Sequence, residues 1–329
     1  MKKCTYLLFP LLLIAFLSGC SDDDELTNVK LAEVTRSIFY APQYVALELG
    51  YFEEEGLDVE LQTIPGGDNV MISLLSGASD IGLVGSETSI YVAAQGADNP
   101  IINFAQLTQT DGTFLVSREP IEDFSFDDLI GSDFLGQRVG GMPQMVGEFV
   151  LKENGIDPQE DLHLIQNIDF ANIASSFVSG TGDFVQLFEP IASQFVEDGV
   201  GHIVASFGEQ SGNVPYTVYM ASDSYLNENE ETATKFTRAI YRAQQFIQTA
   251  SPEEIADIVK PYFADSDISL LVSSIDRYQA QNSYAEDPLL EEDTWEQLKA
   301  IMDEAGELPA DIPYESIVNT EIAETVINE

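Results

Sequence analysis

The stretch YAPQYVALELGYFEEEGLDVE, residues 40–60, predicts a helix, a turn and the start of a strand in one continuous run. Pro42 suits the first turn of the helix, because a first turn leaves its N–H groups unbonded and proline has none to lose. Gly50 and Gly56 predict the turn that closes the helix, since glycine is favoured just past a helix end. The β-rich run from Leu57 then predicts a strand, so the helix leads directly into a sheet.

On both sides of this stretch, short β-rich runs alternate with amphipathic runs, which is typical of an α/β protein with mostly parallel sheets. The predicted strands cover residues 29–34, 57–63, 81–84, 101–107, 138–140, 162–166, 184–188, 202–205 and 217–221. Helices are predicted at residues 144–153, 171–178, 191–196 and 232–249, and after residue 221 the chain is predicted to be helical almost to its end.

Two lobes are expected, because a folded body of roughly 300 residues exceeds the size at which one hydrophobic core stops growing. We predict that residues 29–116 and 217–329 form lobe 1 and that residues 117–216 form lobe 2, with the chain crossing near 116–120 and 212–216. Each lobe is predicted to be a mixed, mostly parallel sheet flanked by helices.

The N-terminus has the pattern of an export signal with a lipoprotein box. Lys2 and Lys3 precede an apolar run, residues 6–17, that ends in Leu-Ser-Gly before Cys20. This run is shorter than the ~17–25 residues that span a bilayer, so residues 1–19 predict a cleaved signal peptide and Cys20 the lipidated first residue. Residues 20–28 are polar and predict a tether between the cell surface and the folded body.

Composition excludes several classes of function. The net charge is −44, with 57 acidic and 13 basic residues, and such a surface repels nucleic acid. The chain has two cysteines, Cys4 in the signal and Cys20 at the lipid site, so no thiol catalysis, disulfide or cysteine metal site is expected in the mature protein. Neither a metal nor a cofactor is predicted.

Two motifs resemble a known family. Residues 40–60 are similar to the opening signature of type II periplasmic-binding-protein-like proteins, and LLSGASDIGLV, residues 74–84, is similar to their second signature. Within that fold, the chain resembles the branch that binds sulfonates, nitrate, taurine and thiamine precursors.

The resemblance implies a solute-binding protein whose interlobe cleft closes on a small molecule by hinge bending. It also implies delivery of that molecule to the permease and ATPase subunits of an ABC importer. A monomer outside the cytoplasmic membrane suits such a shuttle.

Candidate cleft residues follow from the rule that ligands lie beyond the carboxyl ends of strands, where helix N-termini present free N–H groups. In lobe 1 these are Arg36, Ser37, Tyr40, Gly67, Asp68, Ser86, Glu87, Thr108 and Asp111; in lobe 2 they are Met142, Gln144, Asp169 and Glu189. Each has a structural alternative: Arg36 could pair with a surface carboxylate, and Glu87 could stabilise a helix dipole. Tyr44 and Trp295 are predicted to be packing residues.

The candidate residues favour an amine-bearing or heteroaromatic solute, such as a pyrimidine precursor of thiamine, because carboxylates and aromatic rings outnumber cations. The alternative is a sulfonate, nitrate or taurine, which would need Arg36 together with helix N-terminal amides. A different class is a pyrimidine synthase on the same fold, which uses a histidine. This sequence has only His163 and His202, both in or near predicted strands of lobe 2, so we expect no enzyme activity.

Overall fold

The computed structural model describes residues 25–329. The predicted signal peptide and Cys20 lie outside this range. Within it, none of the helices combines the length and the apolar character that crossing a bilayer requires.

Ten strands form two five-stranded sheets. In chain order they are β1 (Thr27–Glu33), β2 (Leu57–Thr63), β3 (Ile81–Gly85), β4 (Ile101–Thr108), β5 (Thr113–Ser117), β6 (Asp133–Leu135), β7 (His163–Ile165), β8 (Phe184–Phe188), β9 (His202–Ser206) and β10 (Thr217–Ser222). The strand order is β2-β1-β3-β10-β4 in lobe 1 and β7-β6-β8-β5-β9 in lobe 2. Strand β10 is antiparallel to its neighbours in lobe 1, and β5 is antiparallel to its neighbours in lobe 2.

Helices flank both sheets and fill the C-terminal region. They are α1 (Ala41–Glu48), α2 (Tyr51–Glu54), α3 (Gly67–Leu75), α4 (Glu87–Ala94), α5 (Met142–Glu153), α6 (Phe170–Val178), α7 (Ile191–Glu197), α8 (Phe207–Ser211), α9 (Asp223–Glu228), α10 (Glu230–Ile247), α11 (Pro252–Val259), α12 (Ile268–Ala280), α13 (Glu292–Glu304), α14 (Tyr314–Ile317) and α15 (Glu321–Ile327). Short 3-10 helices lie at Ile38–Tyr40, Phe126–Leu129 and Lys260–Phe263. The predicted two-lobe α/β fold class is confirmed.

Two sequence predictions about lobe 2 were wrong. The strand predicted at residues 138–140 lies at Asp133–Leu135, and residues 138–140 form a loop. Strand β5 was not predicted, and it belongs to the lobe 2 sheet, so the first crossing is at residues 109–112 and not at 116–120. The apolar run of β5 follows β4 after only four residues, and its register with β8 and β9 depends on contacts that are distant in sequence.

The two crossing segments fix how the sheets face each other. Strand β5 starts at the crossing, and its first residue, Thr113, pairs with Phe188 at the end of β8. Likewise Thr217 starts β10 and pairs with Gly85 at the end of β3 and with Thr108 at the end of β4. The carboxyl ends of the parallel strands in both lobes therefore lie at the level of the crossing segments, facing the space between the lobes.

An aromatic cluster packs beside the crossing segments. The ring of Phe39 lies 5.0 Å from the ring of Tyr278, 5.7 Å from Tyr216 and 6.0 Å from Phe188, measured between centroids. A Cβ atom on Gly112 would lie 2.9 Å from the Phe39 ring, so glycine lets the crossing segment pass this close. The region around the crossing segments is thus a packed core that joins both lobes and α12.

The long helix α10 packs on the lobe 1 sheet through Phe236, which is fully buried. Its ring lies 4.9 Å from the ring of Tyr219 on β10 and 5.0 Å from the ring of Phe52 on α2. Trp295 and Tyr44 are also fully buried, as predicted for packing residues.

We expect Phe236→Ala to lower the free energy of unfolding by about 3–5 kcal/mol, because it leaves a cavity between α10 and the sheet. Chemical denaturation followed by circular dichroism measures this loss. The control is Ile72→Ala, since the Ile72 side chain is 62% exposed on α3 and its removal should change the free energy by less than about 0.5 kcal/mol. Equal losses in the two variants would contradict the packing described for α10.

Candidate functional site

A cleft of about 560 Å³ lies between the two lobes. It is lined by the loops that follow parallel strands in both lobes and by the N-terminal ends of α3, α4, α5 and α6. Each of these helix ends presents backbone N–H groups that have no partner within the helix. A cleft with these features is the usual location of a small-molecule site in an open α/β fold.

Six of the thirteen predicted site residues line this cleft. They are Tyr40, Gly67, Asp68, Glu87, Met142 and Asp169. Asp68 and Asp169 are exposed at the mouth, whereas Tyr40 and Glu87 are buried in the floor. Whether these residues bind ligand stays a prediction.

The other seven predicted residues do not line the cleft. They are Arg36, Ser37, Ser86, Thr108, Asp111, Gln144 and Glu189. Several have structural roles: the Ser37 side chain accepts a hydrogen bond from the Phe39 N–H, and the Thr108 hydroxyl accepts one from the Thr217 N–H. The Gln144 amide bonds Glu148 and the Gly140 N–H within lobe 2.

Arg36 is held by Glu33, the last residue of β1. The Arg36 Nε atom lies 2.7 Å from a carboxylate oxygen of Glu33, which is fully buried. That carboxylate also accepts hydrogen bonds from Gln43, Tyr44 and Thr63 at 2.7–2.9 Å. Arg36 is therefore paired as the structural alternative proposed, but with a buried carboxylate and not with a surface one.

Glu189 does not project into the cleft, contrary to the expectation that its carboxylate points there from the end of β8. It is 2% exposed and accepts hydrogen bonds from the Ser193 N–H at 2.9 Å and the Ser193 hydroxyl at 2.7 Å. Arg277 of α12 donates a further bond at 2.7 Å. The carboxylate folds back onto the first turn of α7, and its bond to Arg277 connects lobe 2 to α12.

Asp111 lies beneath the cleft in the first crossing segment and is fully buried. Its carboxylate accepts hydrogen bonds from the N–H and the hydroxyl of Thr113. Burial raises its pKa to about 6, and the bonds from Thr113 oppose that shift. The hydroxyl of Tyr216, which lines the cleft, faces this carboxylate. Within residues 25–329 neither this hydroxyl nor the Oδ2 atom of Asp111 has a hydrogen-bond partner.

Glu87 is the buried carboxylate in the cleft itself. It is the first residue of α4, is 6% exposed, and one of its oxygens, Oε2, has no hydrogen-bond partner among the described residues. Burial raises the pKa of this carboxyl to about 7, while hydrogen bonding from the backbone N–H groups of Glu87 and Met142 opposes the shift. Met142 is in lobe 2, so the carboxylate faces the N-terminus of α5 across the cleft.

Sequence reasoning did not select several residues that line the cleft. They include Thr35, Arg138, Phe188, Tyr216 and Thr217. Arg138 was missed because it was assigned to a strand, whereas the true strand ends at Leu135 and leaves Arg138 exposed in a loop. It is the one basic residue in the lining, against the three acidic residues named above.

Comparison with known proteins identifies the family. A family model described as NMT1/THI5 like matches residues 38–255. The putative binding protein YtlA of Bacillus subtilis (strain 168) is 62% identical over 313 residues, which cover 95% of this chain and 94% of that protein. The chain belongs to the NMT1/THI5-like family. The family resemblance inferred from residues 40–60 and 74–84 is thereby confirmed.

More distant relatives of this NMT1/THI5-like chain include a protein named for binding and a protein named for an enzyme activity. A formylaminopyrimidine-binding protein of Halalkalibacterium halodurans is 28% identical over 264 residues, 76% of each chain. A 4-amino-5-hydroxymethyl-2-methylpyrimidine phosphate synthase of Aspergillus parasiticus is 28% identical over 243 residues, 67% of each chain. The solved structure of the alkanesulfonate-binding protein SsuA from Xanthomonas axonopodis pv. citri, bound to MOPS, has a TM-score of 0.70 and 15% identity, covering 90% of this chain and 99% of that one. This last likeness shows the fold.

Glu87 should make the stability of this NMT1/THI5-like chain depend on pH. Burial raises the pKa of Glu87 in the folded state from 4.5 to about 7. The stabilisation that the protonated carboxyl gives the folded state is therefore complete below the unfolded-state pKa of 4.5 and is lost as the pH rises through 7. We expect the unfolding free energy of Glu87→Gln minus that of the wild type to increase by about 3 kcal/mol from about pH 4 to pH 8. Urea denaturation across this range measures the difference, and a constant difference would contradict the burial of an unpaired carboxyl.

Glu189→Gln should lower the free energy of unfolding by about 1.5–3 kcal/mol, because it removes charge-assisted hydrogen bonds to Arg277 and Ser193. Affinity for a cleft ligand should change by less than about twofold, since Glu189 does not line the cleft. Denaturation and calorimetric titration measure the two effects. Glu209→Gln, at an exposed position on α8, is the control. A large loss of affinity with unchanged stability would show instead that Glu189 belongs to the binding site.

Proposed function

We propose that this chain is the extracytoplasmic solute-binding subunit of an ABC importer. In this role it captures a small molecule between its lobes by hinge closure and delivers it to the permease and ATPase subunits. The observation that carries the proposal is the cleft between the lobes, in which four helix N-termini converge and a buried carboxylate oxygen lacks a partner. Membership of the NMT1/THI5-like family and the likeness to a sulfonate-binding fold support it.

The proposal includes attachment to the outer face of the cytoplasmic membrane through a lipid on Cys20. The support is the sequence pattern of residues 1–20, which combines two lysines, a short apolar run and small residues before the cysteine. Two acyl chains give a stable anchor. The predicted tether, residues 20–28, is shortened by the start of β1 at Thr27, and a monomer held by the residues between Cys20 and β1 could reach a permease in the same membrane.

We propose an amine-bearing or heteroaromatic solute, such as a thiamine-precursor pyrimidine. Asp68, Glu87 and Asp169 supply acceptors for N–H groups, and Phe170 and Phe188 supply apolar ring surfaces in the same cleft. The Phe170 ring is 53% exposed and lies 6.0 Å from the ring of Phe188. A relative named as a formylaminopyrimidine-binding protein also supports a pyrimidine ligand.

The second candidate is an anionic solute such as a sulfonate, nitrate or taurine. Arg138 at the cleft mouth favours it, as do the helix N-termini, which suit an anion. Against it, the acidic residues of the same lining would repel an anion placed close to them. This alternative assigns the cation role to Arg138, since Arg36 is held by Glu33.

The enzyme alternative rests on the synthase among the distant relatives. An enzyme of this kind would need a reactive side chain next to the bound ligand. Both histidines lie outside the cleft: His163 is exposed on β7, 3.0 Å from Asp133, and His202 is exposed on β9. Their positions support a binding function over this chemistry.

Thermal denaturation of the purified protein against aminopyrimidines, flavins, amines, sulfonates and nitrate tests the function. Ligand binding to the folded state adds RT ln(1 + [L]/Kd), about 2.7 kcal/mol at a hundredfold excess over Kd, which raises the midpoint. We expect an aminopyrimidine or an amine to raise it without being consumed. A shift with sulfonates alone that Arg138→Ala abolishes would favour the anionic alternative, and turnover of the bound compound would favour an enzyme.

A further inference from the structure

The position of the Glu87 carboxylate depends on the absence of a side chain at Gly85. A Cβ atom on Gly85 would overlap Oε2 of Glu87 and would lie 2.7 Å from Oε1. The carboxylate is therefore folded back over the end of β3, where both residues line the cleft. The carboxylate occupies the space that a side chain at residue 85 would fill, and its Oε2 atom has no hydrogen-bond partner there among the described residues.

Apart from Arg138 in the cleft lining, the titratable groups around Glu87 are an acidic residue and tyrosines. Asp68 on α3 raises the pKa of Glu87 further, although burial is the main cause. Tyr40, Tyr91 and Tyr216 lie near it on the 3-10 helix before α1, on α4 and on the second crossing segment. Burial is the main cause of the raised pKa of each tyrosine, and the Glu87 charge raises it further. No basic side chain within residues 25–329 forms an ion pair with Glu87. Arg138, the basic residue of the lining, forms no ion pair with Glu87, so the ionised carboxylate has no paired counter-charge in this part of the chain.

We propose that Glu87 is the counter-ion for a cationic nitrogen of the ligand, and that binding of this cation displaces a proton from the Glu87 carboxyl. The inference rests on the proposed solute-binding function and narrows its ligand to amines, amidines or protonated heterocycles. A buried carboxylate accepts a charge-assisted hydrogen bond from such a nitrogen, and this bond supplies the partner that Oε2 lacks. The O–H bond of the carboxyl breaks and its proton passes to solvent.

The coupling has a definite direction with pH. Above neutral pH the carboxyl is already ionised and the cation binds without displacing a proton. Below neutral pH the carboxyl is protonated in the empty protein, so binding must first remove that proton and the affinity falls. A neutral ligand that only accepts a hydrogen bond from the acid would show the opposite trend.

The test uses two flat compounds of the same shape. Benzamidine carries an amidinium that is charged across neutral pH, and benzamide is its neutral isostere. We expect benzamidine to bind the wild-type protein at least about tenfold more tightly than benzamide at pH 8, and to lose about tenfold in affinity from pH 8 to pH 6. Isothermal titration in two buffers of different ionisation enthalpy should show release of a proton at pH 6.

Three variants assign the effect to Glu87. Glu87→Gln should remove both the preference for benzamidine and its pH dependence. Gly85→Ala should weaken benzamidine binding while leaving the fold intact, because it displaces only the flexible end of the Glu87 side chain. Asp58→Asn removes an exposed carboxylate of β2 outside the cleft and should change nothing.

Equal binding of benzamidine and benzamide, or no binding of benzamidine, would overturn the counter-ion assignment. So would an equal loss in Asp169→Asn, because the preference would then reflect the general acidity of the cleft. Titration of the Glu87 carboxyl by carbon NMR near its ordinary value would overturn the proton displacement. The solute-binding function itself fails only if none of the compounds in the thermal panel binds, so the two failures are distinct.

Discussion

The two short crossing segments determine the geometry of the molecule, because each one delivers an antiparallel strand into the middle of the other lobe's sheet. Strand β5 lies between β8 and β9, and β10 lies between β3 and β4. Both start at the crossing, and their neighbours run antiparallel to them, so those neighbours end there. The loops and helix N-termini that follow those neighbours then face each other across one space, which is the cleft.

The packing around the crossing segments constrains movement of the lobes. Phe39 from lobe 1 meets Phe188 from lobe 2 and Tyr278 from α12 in a single aromatic cluster. The Tyr278 hydroxyl also donates a hydrogen bond to the Gly112 carbonyl at 2.9 Å and accepts one from the Glu189 N–H at 3.2 Å. Helix α12 is therefore joined to both lobes beside the crossing segments.

The buried carboxylates of this acidic chain differ in their hydrogen-bond partners. Glu33 and Glu189 are almost completely buried, and each accepts several hydrogen bonds that include one from an arginine. Glu87 is nearly as buried, yet one of its oxygens has no partner among residues 25–329. Because an unsatisfied buried charge is costly, such a group is stable only when it binds a proton or a ligand. Glu87 thus differs from Glu33 and Glu189 in having a carboxylate oxygen that no described residue bonds.

The sequence by itself determined the local elements, the two-lobe class and the family, because periodicity, glycine and proline act over a few residues. The bounds of β2 and β8 and the burial of Tyr44 were predicted on that basis. The tertiary structure alone decided which predicted carboxylates line the cleft and which are bonded elsewhere. Glu189 is bonded by Arg277, 88 residues away, while Glu87 faces Met142 of the other lobe. Among 57 acidic residues, no local pattern can indicate whether a partner distant in sequence reaches a given carboxylate.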